Sequence, residues 1–240
     1  MFKKGVLGAL VLSVTLALAP IHGAEAAETE NELTKISTET LTYEGETFEL
    51  EKWKDENDVE IYTIATDVEN KEAIAEFVNQ LINEPVISPM GFKNNWSKSF
   101  YDVDSWGKFD WNPSGFNEQA YLAPITADRI YINAGNLNAY YTGSGLPDKL
   151  VVFYSYEFSG FSLLIGAAPA ASKSSNTVSW KSEPVTGTWY INTKSHWAEA
   201  KAHGPTLVGV TLSGGADVYK GSNIYRPYDS QYVRFLDVNP

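Results

Sequence analysis

Seven aromatic residues fall within residues 96–116: Trp96, Phe100, Tyr101, Trp106, Phe109, Trp111 and Phe116, interleaved with Asp102, Asp104 and Asp110. Rings flanked by carboxylates and amides suit sugars, whose apolar C–H faces stack on an aromatic and whose hydroxyls need acceptors and donors beside it. Tyr101, Asp104, Trp106, Asp110, Trp111 and Asn112 are therefore the candidate ligand-binding residues. Neither helical nor strand periodicity holds across the stretch, and Gly107, Pro113 and Gly115 interrupt it, so a long structured loop is expected.

Two metal patterns compete for attention. Asp102-x-Asp104-x-Trp106-Gly107 opens like a calcium loop, but position five is Trp106 and position twelve is Pro113, where oxygen ligands are required. His196, Glu199 and His203 would share one face of a short helix started by Ser195 and stopped by Gly204-Pro205. Spacing of i to i+7 separates the two imidazoles by about 10 Å, too far for one ion without a further element. They are weak metal candidates. No nucleophile elbow, phosphate loop or dinucleotide fingerprint occurs. Neither a catalytic set nor a cofactor is expected, although a carboxylate pair acting on sugars leaves little trace in sequence.

The elements that must carry these residues are read from pattern. Segments rich in β-branched and aromatic residues recur near ten-residue spacing from Arg129 to Val238, separated by Gly, Pro, Asn and Asp. This predicts a mainly β fold, an antiparallel sandwich of about eight strands. The apolar runs Leu150–Tyr154 and Ser162–Ile165 are expected at the centre of sheets, buried on both faces. Ser159-Gly160 reads as a turn and Ser213-Gly214-Gly215 as a bulge or reversal. Near the C-terminal end, Tyr219, Tyr225, Tyr228 and Tyr232 with Arg226 and Arg234 form a second aromatic and cationic cluster, with Arg stacked on Tyr or rimming a binding face.

Upstream, Thr47–Trp53 and Val59–Ile64 alternate as a β-hairpin, and Thr66-x-x-Glu69 offers a capping box before an amphipathic helix carrying Ile74, Phe77, Val78, Leu81 and Ile82. Residues 27–85 thus form a small N-terminal ββα subdomain or cap, loose at its start, and 86–240 the sandwich domain. Too small to be secure alone, the subdomain should dock on its neighbour.

Charge follows the same division. Residues 27–85 hold 17 Asp/Glu against 4 Lys, whereas 86–240 hold 12 of each sign, in a chain of net charge −12. Such a balance argues against nucleic acid as a partner. Lys3 and Lys4, the apolar run Gly5–Ala19 and Ala24-Glu25-Ala26 read as a signal peptide of residues 1–26, and no later run is long enough for a stable membrane span. With no cysteine, thiol chemistry and disulfides are excluded. The expectation is a secreted, extracellular bacterial binding protein for a glycan or cell-wall polymer. A membrane-active toxin or antimicrobial protein and a secreted hydrolase are the alternatives.

Overall fold

The computed structural model describes residues 33–82, 94–122, 125–161, 164–167, 171–194, 200–204 and 206–234. The expected signal peptide, the 85/86 boundary, His196 and Glu199 lie outside them. In chain order the elements are β1 (Thr34–Tyr43), β2 (Glu46–Lys54), β3 (Glu60–Ile64), α1 (Lys71–Ile82), β4 (Asn94–Ser97), β5 (Phe100–Asp104), β6 (Gly107–Trp111), β7 (Ser114–Leu122) and β8 (Ile125–Asn133). There follow β9 (Asn136–Tyr141), β10 (Lys149–Phe161), β11 (Leu164–Gly166), β12 (Ser172–Ser174), β13 (Thr177–Lys181), β14 (Tyr190–Lys194), β15 (Ala200–Gly204), β16 (Thr206–Lys220), β17 (Asn223–Tyr225) and β18 (Tyr228–Arg234).

They build three antiparallel sheets. The first runs β1-β2-β3-β14-β9-β6-β5, the second β12-β13-β10-β16-β17 with β18 also on β16, and the third β11-β15-β8-β7-β4. The architecture is the expected mainly β, sandwich-like one. Its strands far outnumber eight, in part because residues 94–122 are four strands rather than a loop, with Gly107 beginning one strand and Pro113 falling between that strand and the next. The apolar run in β10 does lie centrally, between β13 and β16, but β11 ends the third sheet's strand order. Strand β1 was illegible because its first seven residues are all exposed, which leaves no buried face to imprint a period of two.

Residues 34–82 are joined to the rest by a ladder, since β3 pairs with β14 from Tyr190↔Ile64 to Lys194↔Glu60. Helix α1 then covers the same sheet, with Ile74, Ala75, Val78 and Ile82 buried and the Phe77 ring stacked on Tyr43 at 4.6 Å. The helix starts later than the Thr66 capping box implies. Glu46 accepts the Glu69 and Asn70 N–H groups at 2.7 and 3.2 Å, so the cap falls to Asn70, whose Oδ1 accepts the Ala73 N–H at 3.4 Å. Lys71, buried, locks the first turn to the 143–145 loop by donating to the Gly143 and Gly145 carbonyls, both at 2.9 Å, and by pairing with Asp67 at 3.0 Å.

Where the first and second sheets meet, Trp111 is fully buried, stacked near Tyr154 and Tyr156 at 5.8 and 6.1 Å and tilted on Phe100 at 4.7 Å. A Cβ on Gly214 would lie 2.6 Å from Trp111 Cε3 and 3.0 Å from Phe109 Cζ. Ser213-Gly214-Gly215 is therefore no reversal: β16 runs straight through it, and the missing side chain makes room for the indole. Ser159-Gly160 likewise is not a turn but a bulge within the β10–β16 ladder. Replacing Gly214 with Val should cost about 1–3 kcal/mol through overpacking, and Trp111→Ala about 3–5 kcal/mol through cavity formation. Urea unfolding checks both as a lowered midpoint at unchanged m-value.

Candidate binding face

Strand alternation separates the six sequence-predicted ligand residues. On β5, Phe100, Asp102 and Asp104 face one way and Tyr101 and Val103 the other, the latter two exposed. Trp111 points into the sandwich and spends its Nε1–H on the Ala134 carbonyl at 2.6 Å. It presents no surface to a ligand, and its assignment as a binding residue is corrected accordingly. Asp104 accepts the Arg226 N–H at 2.7 Å and Asp102 the Tyr228 N–H at 2.8 Å, so both tie the hairpin to the segment joining β17 and β18. They do not converge on a cation. Trp106 remains, half exposed at the turn beside Ser105, which takes a positive φ of 53°. Tyr101 is exposed too, but a strand rise of about 3.3 Å per residue sets it roughly 13 Å back along the hairpin, so the two rings make no common platform.

Asp110 and Asn112 join a different constellation. Asp110, Asn138 and Asn192 stand in one cross-strand row on β6, β9 and β14, on the face that α1 covers. Asn79 of α1 accepts the Tyr190 hydroxyl at 2.6 Å and the Asn192 amide at 3.0 Å. The Asn138 and Asn192 Oδ1 atoms are buried without a partner among the described residues. Burial raises the Asp110 pKa above the usual aspartate value; the Asn112 amide, donating to it at 2.9 Å, opposes this and Glu76 adds to it. Among the described residues no group of three or more His, Asp or Glu is placed to hold a metal. The helix expected to gather His196, Glu199 and His203 is replaced at its C-terminal half by β15, held by β8 and β11 on its two sides, so the i, i+3, i+7 face does not form there.

An accessible face with recognition chemistry lies on the outer side of the second sheet. Its register aligns Ser179, Ser155, Ser213 and Ser230 on four neighbouring strands, continuing to Ser172 on β12. Ser213 and Ser230 share a hydrogen bond of 2.9 Å. On one side of this row runs Lys181-Phe153-Gly215-Tyr228, on the other Thr177-Glu157-Thr211-Tyr232. Gly215 is bare because the Phe153 and Tyr228 rings lean over it, with atoms 3.0 and 3.2 Å from where its Cβ would stand. An open depression of about 650 Å³ is lined by Phe153, Ser155, Ser179, Lys181, Asp217 and Arg226, with Tyr154 and Trp180 beneath.

Part of the C-terminal cluster noticed in sequence belongs here. Tyr228 and Tyr232 are exposed, whereas Tyr225 turns inward and stacks near Tyr141 at 6.1 Å. Arg226 does not stack on a tyrosine as expected; its Nε donates to Asp217 at 3.1 Å, and the ring of Tyr219 is instead covered by Lys149 at 4.5 Å. The serines were missed because they lie far apart in sequence, and only register assembles them. No protein-family model matches the chain, and no curated protein matches it either.

The raised Asp110 pKa has a signed consequence. Between the unfolded and the folded pKa the folded chain holds more protons, so stability contributed by this group is present at low pH and declines as pH rises through that window. Asp110→Asn should flatten that decline and raise the neutral-pH melting temperature, measurable by calorimetry from pH 3 upward.

Proposed function

We propose that the protein is an exported binding protein that recognises a glycan of the extracellular surface through the outer face of its second sheet. The observation that carries this reading is the depression on that face, where aromatic rings, hydroxyls and a charged pair lie side by side. Phe153 and Tyr228 supply flat apolar surface for sugar C–H faces. Ser155, Ser179 and Ser213 both donate and accept, and Arg226, held by Asp217, presents a fork of donors. Pockets of about 300–1,000 Å³ suit small ligands. The N-terminal 26 residues support export by their lysines, apolar run and small residues. No described helix is long and apolar enough to cross a membrane.

Titration with soluble oligosaccharides and with isolated cell-wall polymer, followed by tryptophan fluorescence through Trp180 under the depression, tests the reading. A saturable change is expected, weakened about 10-fold or more, or ~1.4 kcal/mol, by Tyr228→Ala, and unaltered by Trp106→Ala. Loss of binding with Trp106→Ala but not with Tyr228→Ala would return recognition to the hairpin tip.

A further inference from the structure

We infer that the ligand of this face is an acidic glycan chain that lies across the strands, with its anionic groups opposite Lys181 and Arg226. The inference rests on the glycan reading and adds to it the ligand's charge and direction.

Direction follows from the heights of neighbouring rows. Travelling along β10, a ligand would meet Phe153, then Ser155, then Glu157, a ring and a carboxylate with a low point between them. Travelling across the strands it follows Ser230, Ser213, Ser155 and Ser179, all small, between one row that carries Lys181, Phe153 and Tyr228 and another that carries Glu157 and Tyr232. The result is a trough with a hydroxyl floor. Three strand spacings of about 4.8 Å make it about 14 Å long, more than one sugar ring occupies.

Charge follows from a census of the same sheet. The chain is acidic, with 13 Asp/Glu and 4 Lys in residues 34–82 alone. Among the side chains that register turns to the outer side, the second sheet and its β17–β18 link reverse that sign: Lys149, Lys181, Arg226 and Arg234 stand against Glu157 and Asp217. At the depression, Lys181 is exposed and has no ion pair among the described residues. Asp217 is already engaged, accepting from Arg226 Nε and from the Tyr219 hydroxyl at 3.4 Å. The guanidinium is mostly exposed, and its terminal nitrogens have no acceptor among the described residues. An oriented fork of that kind matches a carboxylate or a phosphate, and Lys181 adds a second, point-like cation. Neutral sugars would leave both unanswered.

Calorimetric titration should compare hexagalacturonate, a phosphomannan hexasaccharide, neutral cellohexaose and monomeric galacturonate, at low and high salt. At least one acidic hexamer is expected to bind about 10-fold or more tighter than both cellohexaose and the monomer, with an advantage that shrinks as salt screens the cations. The preferred hexamer identifies the anionic group as carboxylate or phosphate. Lys181→Gln, an exposed change that leaves the core intact, should remove several-fold of the acidic hexamer's affinity and none of cellohexaose's. Equal binding of neutral and acidic hexamers overturns the charge assignment, and equal binding of monomer and hexamer overturns the direction, while either leaves the glycan reading standing. Binding of no saccharide, with isolated wall polymer also inert, overturns both the inference and the reading beneath it.

Discussion

The indole of Trp111 fills the space above Gly214, and the two long sheets are placed by that contact. Any side chain on Gly214 would enter the ring, and any shift of β6 would break the Nε1–H bond to Ala134. With this ring buried, Phe100, Tyr154 and Tyr156 pack around it, and alternation then forces Asp110 and Asn112 toward α1 and Ser155 and Ser213 toward solvent. One buried ring thus decides which residues of three strands meet water. It also decides against a binding role for Trp111 itself.

How much of this was legible depends on whether a residue's partner is near in sequence. The hairpin of residues 46–64 was legible because both strands bury one face locally and alternate. The core run of β10 was legible because Leu150, Val151, Val152 and Tyr154 are buried and the outward residue among them, Phe153, is apolar too. The aromatic stretch misled, since its even and odd positions face two chemically rich environments rather than one wet and one dry: Asp102 and Asp104 point inward to bind backbone N–H groups, while Tyr101 and Val103 point outward. Polar residues on the inner side and apolar ones on the outer erase the period. Residues 200–204 misled for another reason. Alanine is the best helix former, but intrinsic propensity is worth little against tertiary pairing, and two flanking strands offering a ladder outweigh it.

The proposed binding face was half visible. Tyr228, Tyr232 and Arg226 stood out by composition, but Ser155, Ser179, Ser213 and Ser230 are ordinary residues until β13, β10, β16 and β18 bring them level. Their assembly requires contacts over as many as 58 positions, as between Ser155 and Ser213, and no local propensity encodes them. The same pairing brings Lys181 and Arg226 to one face of an acidic chain whose excess negative charge lies in β1, β2, β3 and α1. Opposed fields of this kind orient an approaching polyanion and repel it elsewhere.

The central claim is that the serine trough of the second sheet, and not the hairpin rings, meets the ligand. A crystal structure of the protein soaked with an acidic hexasaccharide tests it most directly. Sugar density along Ser155, Ser179 and Ser213, with an anionic group within hydrogen-bond distance of Lys181 or Arg226, is the predicted result. Density confined to Trp106 and Tyr101, with the trough holding solvent alone, would contradict the account.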